Sequence, residues 1–75
     1  PPASLGQARA VEAARHYLDA GSAPAASAIT QAGLALGGAS STDRAWLHIL
    51  LGDALRQLGD ETGAAEAYGA AAAAR

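Results

Sequence analysis

The chain has 75 residues and a net charge of −2, with five arginines, no lysine and no cysteine. Disulfides are therefore excluded, and the clustered cations that nucleic-acid binding rests on are missing, so no nucleic-acid partner is expected. Hydrophobic residues make up 51% of the chain but aromatics only 4%. The core must then be built largely from alanine, in one small domain that buries only about 60% of its unfolded surface.

No apolar run approaches the roughly 18 residues of a membrane helix, and no charged segment followed by an apolar one suggests a signal peptide. These absences fit a cytoplasmic protein. The opening Pro1-Pro2, with no initiator methionine, reads as a piece of a longer chain.

Taken in order, Ser4-Leu5-Gly6-Gln7 has the pattern of a capping box, with Ser4 accepting from the first turn and Gln7 reaching back to the helix start. The helix expected over 5–20 carries Val11, Ala14, Tyr17 and Leu18 on one face. Arg9, Glu12, Arg15 and Asp19 fall on another, at spacings that allow pairing. Gly21 ends it, as a residue free to adopt the left-handed conformation. Ser22 is the expected cap of a second helix over 23–36, with Pro24 in its first turn. There Ala25, Ile29, Ala32 and Leu36 share a side, and Thr30 and Gly33 weaken the pattern. Residues 37–41, Gly-Gly-Ala-Ser-Ser, form the longest linker.

Ser41 or Thr42 is the expected cap of the third helix, with Asp43 at its positive end. Its stripe is Leu47, Leu51, Ala54, Leu55 and Leu58, the strongest period in the chain. Gly59 stops it and Asp60 opens the fourth helix, over 61–74, across a turn short enough to force antiparallel packing. Ala64, Tyr68 and Ala71 form the packing face of that helix. The expected fold is all-α: four antiparallel helices as two helix–turn–helix units, one over about 4–37 and one over 42–75. Gly21 and Gly59 are 38 residues apart, which marks an internal repeat.

Residues 45–75 resemble a tetratricopeptide repeat. Leu51-Gly52, Leu55, Gly59-Asp60, Ala64, Tyr68 and Ala71 stand at the spacing of that family, with His48 where its first-helix aromatic usually lies. The first unit matches at Ala14, Tyr17, Gly21 and the small residues Ala25-Ala26, and its repeat length exceeds the usual 34 or so by about four residues, which the linker absorbs. Gly52 is expected to let the paired helices approach closely, with Ala64 opposite and Tyr68 over the gap.

The residues offer no catalytic constellation, and no enzyme activity is expected. His16 and His48 lie on separate helices without further ligands, so no metal or other cofactor is implied. Asp53 and Arg56, one turn apart, are expected to form a local ion pair, and no serine has the neighbours of a triad. What stands out is the start of the third helix. Trp46, Ile49 and Leu50 lie outside the leucine stripe, so the helix is apolar on more than one side.

The resemblance implies a protein–protein interaction module, whose first helices line a concave groove for a partner peptide or helix within a multiprotein assembly. The implied groove residues are Trp46, Ile49, Asp53, Arg56 and Gln57, joined by Ala8, Val11, Arg15 and Asp19. The alternative is a structural segment that self-associates or covers other domains of a larger protein.

Overall fold

The computed structural model describes residues 3–36 and 40–74, the side chains from Gly6 onward. Four helices account for nearly all of it: α1 (Ala3–Asp19), α2 (Ala23–Ala35), α3 (Ser41–Gln57) and α4 (Glu61–Ala73). No strand occurs among the described residues. The all-helical class read from the sequence is the class observed.

The two tight turns are built alike. Gly21 and Gly59 have φ of 79° and 87°, the left-handed conformation that costs a residue with a Cβ about 1–2 kcal/mol. Around the first, Ser22 N–H donates to the Tyr17 carbonyl at 2.8 Å and Gly21 N–H to Leu18 at 3.0 Å. Around the second, Asp60 N–H donates to Leu55 at 2.9 Å and Gly59 N–H to Arg56 at 3.1 Å. Each is the 6→1 and 5→2 pair of a Schellman ending, which satisfies carbonyls the last helical turn leaves open. Each sends the chain back along itself, giving hairpins α1–α2 and α3–α4.

Helix starts follow the capping pattern less evenly. Asp60 accepts from Gly63 N–H at 2.9 Å, as expected. Ser40, rather than Ser41 or Thr42, caps α3 by accepting from Asp43 N–H at 3.1 Å. Ser22 occupies the cap position of α2 without a side-chain hydrogen bond. At the N-terminus the capping box is overturned. The helix already includes Ala3, and Gln7 does not turn back: its Nε2 donates to the Gly33 carbonyl of α2 at 3.0 Å. The side chain of Ser4, and residues 37–39 of the expected linker, lie outside the described residues.

Packing joins the hairpins through α2·α3 and α1·α3, while α4 meets only α3 among the described helices. The central cluster is Ala10, Val11 and Ala14 of α1 with Leu47 and Leu50 of α3, flanked by Leu18, Ile29 and Leu34. A second, smaller cluster of Ala23, Ala26 and Ala54 lies toward the other end of α2. These two clusters correct three sequence-based faces.

On α2 the buried residues are Ala23, Ala26, Ser27, Thr30 and Gly33, while Ala32 and Leu36 are exposed. The two residues expected to weaken this helix are both on its buried face, and Gly33 makes its close approach. A Cβ on Gly33 would come 2.7 Å from that of Ala10 and 3.2 Å from a Leu47 methyl, closer than packed atoms allow. The Thr30 hydroxyl folds back onto the Ala26 and Ser27 carbonyls, 2.9 Å each, so its polarity is satisfied inside the helix. A small-residue interface contributes close approach in place of apolar bulk.

On α3, Leu50 is buried while Leu58 is 49% exposed. The helix is clasped by α1 and α2 on one side and α4 on another, so no single stripe describes it. On α1, Tyr17 is also exposed. Val11 and Ala14 of the same expected face are buried.

Candidate functional site

The second hairpin closes as its residues imply. Gly52 is buried against the Tyr68 ring, and a Cβ there would lie 2.6–2.9 Å from three ring atoms. Ala64, Ala67 and Ala71 complete the α4 face. The missing side chain at position 52 is what allows an aromatic at 68 to fit against α3.

Tyr68 also reaches across to α3. Its Oη donates to Asp53 Oδ1 at 2.5 Å. That bond, then burial, holds the phenol above its ordinary pKa, because the proton it donates is harder to remove. Asp53, which the spacing pairs with Arg56, thus also makes an interhelical bond to α4. His48, partly covered on α3, is held below the ordinary imidazole value by burial first and by nearby Arg44 second. Each effect disfavours the charged ring.

The expected groove residues divide into three groups. Trp46, Ile49 and Arg15 come together. Trp46 is 42% exposed, Ile49 is half-buried beside it, and the Arg15 guanidinium of α1 lies 4.6 Å from the centre of the Trp46 ring. That distance is within the range of a cation–π contact. Trp46 and Ile49 border a concavity of about 410 Å³ whose described lining is completed by Ser41, Thr42 and Ala45. Arg56, Gln57, Asp19 and Ala8 are exposed on the same two helices.

The third group faces elsewhere. Val11, at 8% exposure, belongs to the core and offers little surface to a partner. Asp53 is half-buried and engaged by Tyr68. Ser41, Thr42 and Ala45 were not among the expected residues, although they continue the Trp46/Ile49 face one helical turn toward the N-terminus at the spacing already used for that face. Tyr68 as the partner of Asp53 had no sequence signal, since the two are joined only by the way α4 folds back on α3.

Among the described residues no group of three or more histidine, cysteine or acidic side chains could hold a metal ion. No helix is long and apolar enough to cross a membrane. The arrangement thus presents one half-exposed indole beside a hollow lined by Ala45, Ile49 and the hydroxyl residues Ser41 and Thr42, with the Arg15 guanidinium on the indole ring. No family model, no curated protein and no solved structure matches this chain.

Proposed function

We propose that this chain is a tetratricopeptide-like binding module that holds a partner polypeptide along the α1/α3 side, with Trp46 as its anchor. The observation that carries the reading is the half-exposed Trp46 at the edge of the concavity it shares with Ile49. A tryptophan is costly to leave in water, at about 25 cal/mol per Å² of apolar area, and it is over-represented among residues that dominate interfaces. The 38-residue recurrence of the glycine turn, the contact of each neighbouring helix pair and the Gly52/Tyr68 closure add support for the repeat assignment. In this reading the chain scaffolds a complex and carries out no chemistry of its own.

A displayed library of random peptides, selected on the folded chain, tests the reading. Selected peptides are expected to lose about 2 kcal/mol, roughly thirtyfold in Kd, on Trp46→Ala. The helical circular dichroism should be unchanged, because the indole lies at the surface. Absence of any enriched peptide, or equal affinity for the variant, overturns it.

A second reading rests on α4, which meets only α3 among the described helices. In that reading the hairpin pair covers another domain or a second copy of itself. Sedimentation decides between the two. A monomer that binds selected peptides supports the groove, and a dimer supports self-association.

A further inference from the structure

Arg15 is an exposed cation on α1, yet its guanidinium is set over an aromatic ring on α3. It meets the ring of Trp46 without being among the residues that line the concavity, whereas Trp46 lines it. The indole is thus a wall with the hollow at its surface and a cation on its ring, and the cation comes from the other hairpin. We infer that Arg15 is a positioning residue, which holds the Trp46 side chain as the wall of the hollow and acts on a bound partner through that indole rather than through its own charge. The inference rests on the binding reading above for its consequence, but its geometry can be tested without any partner.

The physical basis is preorganisation. A half-exposed indole samples several rotamers, and only those that keep the wall in place present the hollow to a ligand. Ordering a side chain during binding lowers affinity, so a contact that orders it beforehand raises affinity with no new contact to the ligand. A cation–π contact at an exposed site favours the closed arrangement by about two- to fivefold. The planar, weakly hydrated guanidinium suits the ring face better than an ammonium. Leu50 and Leu47, packed on Val11 and Ala14, fix the two helices beneath the pair. The contact therefore also ties the exposed margins of the two hairpins at the level of the core cluster.

Trp46 is the sole tryptophan, so its fluorescence reports on this one contact. In Arg15→Ala the fast component of its anisotropy decay should grow and acrylamide quenching should rise by about twofold, with Arg15→Lys intermediate. Peptides selected as above should lose about two- to fivefold in affinity on Arg15→Ala, and nothing further on Arg15→Ala in a Trp46→Ala background. Unchanged indole mobility in Arg15→Ala overturns the inference. So does an affinity loss that persists in the Trp46→Ala background, because Arg15 would then touch the partner directly. If no peptide is enriched, the binding reading fails, while the fluorescence measurement still decides whether Arg15 positions the indole.

Discussion

Hairpins α1–α2 and α3–α4 use the same turn and close in different ways. Gly21 with Ser22 and Gly59 with Asp60 stand 38 residues apart and make equivalent Schellman hydrogen bonds. At the same offset, Ala14 stands where Gly52 does and Thr30 where Tyr68 does. In the second hairpin the absent Cβ on α3 makes room for a large ring on α4. In the first, a Cβ is present at position 14 and position 30 is a small residue, with both fully buried. The close approach is thus made once by glycine against an aromatic, Gly52 on Tyr68, and once by glycine against alanine, Gly33 on Ala10. A further difference lies in the polar links. Gln7 ties α1 to the Gly33 carbonyl near the end of α2, whereas Tyr68 ties α4 to Asp53 in the body of α3. The turn specifies a hairpin, and the complementary pair specifies how close its helices come.

The largest expected effect is at that pair. Gly52→Leu should destabilise the chain by about 3 kcal/mol, since the side chain must displace the Tyr68 ring. That is a large share of the roughly 4–11 kcal/mol expected of a domain this size. Gly52→Ala should cost about 1–3 kcal/mol, and combining it with Tyr68→Thr, which copies the first hairpin, should give less than the sum of the two single costs. Urea unfolding of the four chains measures the coupling, and strict additivity would show that positions 52 and 68 do not share one space.

Next come the turns. Gly21→Ala and Gly59→Ala should each cost about 1–2 kcal/mol, because both demand positive φ while neither Cβ would meet another atom within 4 Å. Equal losses in thermal or urea melts support equivalent turns; a difference of several-fold would show that only one hairpin depends on its turn. The caps should split the hairpins in the opposite sense. Asp60→Ala removes a formed cap bond and should cost about 1 kcal/mol, whereas Ser22→Ala, which removes none, should cost no more than a few tenths.

The smallest effects are in pH dependence, and both belong to the second hairpin. Tyr68 has a raised folded pKa, so its contribution is complete below pH 10 and is lost as pH rises through the folded value. Tyr68→Phe should remove that alkaline slope from a urea-midpoint profile. His48 has a lowered folded pKa, so the unfolded chain takes up its proton first. Stability should fall as pH drops below about 6.5, until the folded ring is also protonated, and His48→Gln should flatten that window. Persistence of either slope in its variant would assign it to another group.

Much of the fold was written locally. The glycine stops at 21 and 59, the Asp60 cap and the alanine-rich periods are near-neighbour effects, because helix and turn depend on a few adjacent residues. The Gly52/Tyr68 closure was also legible, since it rests on a spacing within one hairpin. The exposed Trp46 beside Ile49 could be anticipated because both lie off the leucine stripe.

The rest was decided by which helix covers which. The sequence by itself determined that there are four helices and where two of them reverse, since hydrogen bonding and capping along a helix involve residues three to six apart. Only the tertiary structure determined that Gln7 spans to Gly33, that Thr30 and Gly33 lie on the buried face of α2, that Leu50 goes to the core and that Tyr68 bonds Asp53. Each of these joins residues brought together by the crossing of two helices. In a chain this rich in alanine, hydrophobicity alone distinguishes the faces poorly, so size and shape at the crossing choose the side that is buried.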